Sequence, residues 1–122
     1  VAGKRILVVE DDAAIREVLT EILELDGYLV DAASNGDEGI KALEQNPLPD
    51  LILLDLMMPV KDGFAFRNEQ VANPQWATIP VIVLSANANL EARLDQMGSG
   101  KLPFLKKPVD LDTILYSIRA AF

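Results

Sequence analysis

The segment Leu51-Ile52-Leu53-Leu54-Asp55 constrains the fold more than any other: four consecutive apolar residues end in a single carboxylate. An uninterrupted apolar run of strand length suits a strand covered on both faces, as in the centre of a parallel sheet. Open α/β sheets place their chemistry in the crevice at the carboxyl ends of such strands. Taken alone, the segment is equally compatible with Asp55 doing no more than capping a turn.

The flanking sequence repeats the theme. Arg5-Ile6-Leu7-Val8-Val9 predicts a short buried strand that ends in Glu10-Asp11-Asp12. Ile15, Val18, Leu19, Ile22 and Leu23 then follow helical spacing, with Asp12 as N-cap and Asp26-Gly27 as the stop. Tyr28 to Ala33 forms a second strand, and Ser34-Asn35-Gly36 turns the chain into a helix carrying Ile40, Ala42 and Leu43. After Asp55 come a loop from Leu56 to Asp62, a helix from about Gly63 to Val71, and a turn-rich connector, Ala72 to Trp76, suited to packing. Pro80 to Ser85 predicts a fourth strand, Leu90, Leu94 and Met97 a helical stripe, and Phe104-Leu105-Lys106 a short fifth strand. Pro103 before it favours the sheet edge. Leu111, Ile114, Leu115 and Ile118 mark the last helix. Five strands thus alternate with five helices on short connections. The expected fold is α/β, a doubly wound five-stranded parallel sheet with helices on both faces, forming one domain over residues 1–122.

A parallel sheet gathers the carboxyl ends of its strands along one edge. Glu10 and Asp11 stand there after the first strand, Asp55 at the third, Ser85 at the fourth and Lys107 after the fifth. Neighbouring acids repel, which raises their proton affinity or demands a cation. The chain has no Cys and no His, so disulfides, thiolate sites and imidazole ligands are excluded, and a set of oxygen donors points to a hard ion such as Mg²⁺. Each residue also has a plainer reading: a solvated helix start for Glu10 and Asp11, a cap for Ser85, a solvent-facing charge for Lys107. The net charge of −8, with no run of Lys and Arg, argues against direct nucleic-acid binding. No apolar stretch reaches membrane-spanning length and the first residues lack a signal-peptide core, so no membrane role and a cytoplasmic location are expected.

Four motifs in order, Ile6-Leu7-Val8-Val9-Glu10-Asp11-Asp12, Leu53 to Pro59 with Asp62-Gly63, Val83-Leu84-Ser85-Ala86, and Phe104-Leu105-Lys106-Lys107-Pro108, resemble the receiver domains of two-component response regulators of the chemotaxis-regulator kind. Each motif is short; their order and separations over nearly the whole chain carry the resemblance. It implies a flavodoxin-like strand order 2-1-3-4-5. It further implies that Asp55 accepts a phosphoryl group from the phosphohistidine of a sensor histidine kinase or phosphotransfer protein. Glu10, Asp11, Asp55 and the Met57 carbonyl would hold Mg²⁺, while Lys107 and Ser85 would engage phosphoryl oxygens. A cis Lys107-Pro108 bond would aim Lys107 into the crevice. Ser85 and Phe104 would form a conformational switch that repacks the surface of the fourth helix, fifth strand and fifth helix for a downstream effector or attached output domain.

Three departures stand out. Met57 and Asn87 occupy the positions that tune the lifetime of the acyl phosphate, and Met57 has no polar side-chain group to orient a hydrolytic water. Phe104 lacks a hydroxyl, which leaves simple core packing as its alternative. Lys101-Leu102-Pro103 replaces a small, acidic or polar turn. Such a domain is a signalling phosphoacceptor, catalysing only its own phosphorylation and dephosphorylation. Competing classes are a flavin carrier of the same topology, an aspartyl phosphatase and a degenerate binding module. Glu10-Asp11-Asp12 would repel the flavin phosphate, Met57 stands where a phosphatase wants its second acid, and the intact polar set speaks against degeneration.

Overall fold

A computed structural model of the chain describes residues 3–45, 47–86 and 102–122. Five parallel strands, β1 (Arg5–Val9), β2 (Leu29–Ala33), β3 (Leu51–Asp55), β4 (Val81–Ser85) and β5 (Phe104–Lys106), lie in the order β2-β1-β3-β4-β5. Among the described residues the helices are α1 (Ala13–Leu25), α2 (Gly36–Leu43), α3 (Gly63–Ala72) and α4 (Leu111–Ala121). The helix expected around Leu90, Leu94 and Met97 lies outside the described residues, as does Asn87. What was expected to be the fifth helix is therefore α4 here.

The capping chemistry explains where the helices start. Asp12, Asn35, Asp62 and Asp110 each accept a hydrogen bond from the backbone N–H three residues on, satisfying a donor that the helix itself cannot. Strand alternation then divides the core in two. Leu7, Val9, Ile52, Leu54, Val81 and Val83 face α2 and α3 together with Leu43, Phe64 and Phe66. Ile6, Val8, Leu51, Leu53, Ile82 and Leu84 face α1 and α4, against Leu19, Leu23, Ile114 and Ile118. Period-2 alternation along each strand is what makes both layers apolar at once. The three central strands β1, β3 and β4 are buried on both sides, so their polar groups are left to the strand ends.

The connector after α3 is built around a buried polar side chain. The Gln70 amide nitrogen donates to the Trp76 and Ile79 carbonyls at 3.0 and 3.1 Å, and its oxygen accepts from Arg67 at 2.8 Å. Trp76 packs against the α2/α3 side of the core, the packing role expected for that stretch. The α1 stripe is corrected at its first turns. Leu19 and Leu23 are buried, whereas Ile15 and Val18 are exposed. Ile15 and Val18 wall a largely apolar groove of about 500 Å³ with Leu84, Pro108 and Leu111.

Candidate functional site

Register decides which polar groups meet. Val9 is opposite Leu54 in the β1/β3 ladder, so Glu10, the next residue, comes level with Asp55. Both continue the alternation of Val8 and Leu53 and therefore stand on the α1/α4 face of the sheet. Glu10 is 1 % exposed and Asp55 5 %, which rules out a solvated helix start for Glu10. Carboxylate oxygens of Glu10, Asp11 and Asp55 all lie within 4.8 Å of one another. Three acids share one crevice.

One cation answers them from the far edge of the sheet. Lys107 Nζ donates to Glu10 Oε1 at 2.6 Å and stands 3.6 Å from Asp55 Oδ2. Its own N–H donates to the Ser85 carbonyl at 2.8 Å, which continues the β4/β5 ladder, and the Lys107-Pro108 bond is cis. Lys106, its neighbour, is exposed. Ser85 ends β4 fully buried, one step beyond Leu84, the register partner of Asp55. It alternates with Val83, on the face where Phe104 packs half-buried, and Phe104 is in register with Val83. Met57, two residues past Asp55, donates its backbone N–H to Asp55 Oδ1 at 3.3 Å while its side chain is 62 % exposed.

The electrostatics follow from this crowding. Burial, then the charge of Glu10, pushes the Asp55 carboxyl up to about 7, against the opposing pull of Lys107. Burial also works to raise Asp11, but hydrogen bonding with Asp55 and Glu10, and the charge of Lys107, hold it below the ordinary carboxylate range. Lys107 loses by desolvation and gains more from Glu10, Asp55 and Asp11, so its ammonium is held more firmly than in water.

Three supports were not read from the sequence. Arg16 Nη1 donates to the Glu10 and Asp11 carbonyls at 2.9 and 3.3 Å, tying the acidic turn to α1. At Gly63 a Cβ would stand 2.5 Å from the Asp55 carbonyl oxygen, so this helix start can press against β3 only as glycine. Gly36 donates to the Lys61 carbonyl at 2.8 Å, and a Cβ there would meet the same oxygen at 2.5 Å. Arg16 follows Asp12 at the spacing of one helical turn, a signal available in principle. The two glycines depend on approaches between segments far apart in sequence.

The model of the response regulator receiver domain matches residues 6–119. The chain belongs to that family. Among curated relatives of this receiver domain, the DNA-binding dual master transcriptional regulator RpaA of Synechocystis sp. is 38% identical over 116 residues, covering 95% of the chain and 48% of RpaA. The domain spans about half the length, or less, of the curated relatives it matches. Among solved structures, the chemotaxis protein CheY4 of Vibrio cholerae superposes with a TM-score of 0.88 at 26% identity, covering 99% of this chain and 100% of that one. TrrA of Thermotoga maritima, crystallised in complex with Mg²⁺-BeF, gives 0.84 at 29% identity, covering 98% and 99%. The carboxylate cluster of Glu10, Asp11 and Asp55 fits the Mg²⁺ site of receiver domains. Among the described residues no helix is long and apolar enough to cross a membrane.

Proposed function

We propose that Asp55 is the phosphoryl acceptor of this receiver domain and that a phosphohistidine on a sensor kinase or phosphotransfer protein is the donor. The observation that carries the reading is the meeting of three carboxylates and one ammonium at the carboxyl edge of the sheet, with Asp55 at its centre. An Asp55 carboxylate oxygen bonds to phosphorus as the bond from phosphorus to the donor imidazole breaks. The imidazole nitrogen keeps that electron pair and takes up a proton. Glu10, Asp11, Asp55 and the Met57 carbonyl are the oxygen donors for Mg²⁺, and the all-oxygen set suits a hard ion. When bound, that ion offsets the acidic repulsion and the charge that develops on the phosphoryl oxygens.

The chain's own residues do the rest. Asp55 must be ionised to attack, and the Met57 N–H holds one of its oxygens. Lys107 offers an ammonium to a phosphoryl oxygen, and the Ser85 hydroxyl, at the adjoining strand end, offers a donor to another. Drawing Ser85 inward frees space on the face it shares with Phe104, which moves and changes the outer surface of β5 and α4 for an effector protein or output domain. Met57 and Asn87 set how long the acyl phosphate lasts. The domain catalyses nothing beyond its own phosphorylation and dephosphorylation, and its acidic surface does not suit direct nucleic-acid contact.

Incubation with acetyl phosphate and Mg²⁺, read by intact mass, tests this. One acid-stable, base-labile phosphoryl group is expected on the wild type and none on Asp55→Asn. Labelling of the variant would refute the assignment.

A further inference from the structure

The turn from β1 into α1 is held in a way the chemistry above does not explain. Glu10 is fixed at its N–H, which donates to the Ala33 carbonyl of β2 at 3.0 Å, and the Asp12 N–H donates to Glu10 Oε2 at 3.2 Å. The Glu10 and Asp11 carbonyls lie beyond the last register pairs of β1, and a single nitrogen, Arg16 Nη1, bonds both, at 2.9 and 3.3 Å. The half-buried side chain reaches back six and five residues to do so, the direction in which helical side chains lean. One turn into α1 a cation opposes the helix dipole, so helix formation gives no reason for an arginine here. Nor does charge pairing. Acids crowd the turn, yet none of the ion pairs among the described residues includes Arg16. Its guanidinium is spent on backbone oxygens, which leaves the carboxylates of those same two residues to the cluster with Asp55.

We propose that Arg16 is a positioning residue for Mg²⁺: by holding the Glu10 and Asp11 carbonyls with one guanidinium nitrogen, it fixes the turn that aims both carboxylates at Asp55 and so sets the affinity for the ion. The proposal rests on the reading that Glu10, Asp11 and Asp55 hold Mg²⁺. Glu10 is buried and tied to the sheet, whereas Asp11 is an exposed turn residue, so the restraint matters most at Asp11. Without it, repulsion from Glu10 and Asp55 turns Asp11 toward water, and binding has to gather the turn again. Charge alone argues the opposite way, because deleting a cation beside an acidic site strengthens its hold on a divalent ion. The sign of the change in affinity therefore separates positioning from electrostatics.

The test is a Mg²⁺ titration of the chain at neutral pH, read by amide NMR shifts, on wild type, Arg16→Met, Arg16→Gln, Arg16→Lys and Asp11→Asn, each held below its melting transition. Arg16→Met and Arg16→Gln should bind Mg²⁺ about tenfold more weakly, and Arg16→Lys, which can offer one ammonium to both carbonyls, should return to within about threefold of wild type. In labelling by acetyl phosphate, the Mg²⁺ concentration that gives half the maximal rate should rise by the same factor in Arg16→Met, while the rate at saturating Mg²⁺ stays within about twofold. Equal or tighter Mg²⁺ binding by Arg16→Met and Arg16→Gln overturns the proposal. So does a loss of rate that saturating Mg²⁺ leaves in place, which would mark Arg16 as a support of the fold alone. Should Asp11→Asn bind Mg²⁺ as tightly as wild type, the metal assignment beneath the proposal falls, an outcome no Arg16 variant can produce.

Discussion

Replacing Asp55 with Asn should stabilise the metal-free domain at neutral and alkaline pH. The carboxyl titrates near 7 in the folded state and 3.8 outside it, so folding takes up a proton between those values. That linkage favours the folded state fully below pH 4 and is lost as the pH rises through 7. With each tenfold change in proton affinity worth about 1.4 kcal/mol, the rise from 3.8 to about 7 sets a ceiling of about 4 kcal/mol on the cost of ionising Asp55. Water reaching the crevice mouth screens part of this, leaving about 2 kcal/mol. Asn is neutral at every pH. The variant's advantage should therefore be absent at pH 4, grow through pH 7 and level off by pH 8. For 122 residues, 2 kcal/mol corresponds to a Tm gain of about 8 °C. Melts in a chelator from pH 4 to pH 8 measure it directly. Saturating Mg²⁺ should close the gap, because the wild type gains from the ion what the variant gains from neutrality. A variant that melts at or below wild type at pH 8, or a difference that does not depend on pH, would refute the account of Asp55 as an acid strained by burial and by Glu10.

The remaining predictions concern the supports around it. Lys107→Met should cost about 2–3 kcal/mol in urea denaturation at pH 7.5, because it strands the buried Glu10. In Glu10→Gln the same change should cost far less, and additive costs would mean the pair is not coupled. Gly63→Ala drives a methyl against the Asp55 and Leu56 backbone, so a loss of about 3 kcal/mol with slowed phosphorylation is expected. Unchanged melts would show that the helix start moves aside freely. Met57→Asn, which adds a polar group two residues past Asp55, should shorten the lifetime of the acyl phosphate several-fold, as read by intact mass over time; equal decay would remove Met57 from that role.

The sequence carried most of the framework because its signals are local. Apolar runs of strand length, Asp and Asn at helix starts, and Pro103 before an edge strand each report a preference set within a few residues. Glu10, Asp11, Asp55 and Lys107 were legible as neighbours once the strands were taken as parallel, since topology alone aligns their ends, whereas the Ser85 side chain continues the alternation of Val83 on the opposite face. The choice of Lys107 over Lys106 followed from alternation and the adjoining proline, and Lys107 is the lysine that reaches Glu10. Distance-dependent features were not legible. Ile15 and Val18 fit the helical period as well as Leu19 does, but periodicity cannot tell where a helix outruns the sheet beneath it. The left-handed backbone at Val60, with φ +68°, went unread because sequence preference argues against a β-branched residue there.

The pairing of Val9 with Leu54 has a consequence for how the molecule can respond. Glu10 and Asp55 stand side by side, one step beyond the last pair of a hydrogen-bonded ladder, and sliding either strand by one residue would turn its whole apolar set to the wrong layer. The two acids are therefore denied the usual escape of drifting apart. Relief beyond what Lys107 supplies has to arrive from solution, as a proton, an ion or a transferred group, so the rigid middle of the sheet makes this corner of the domain sensitive to its surroundings.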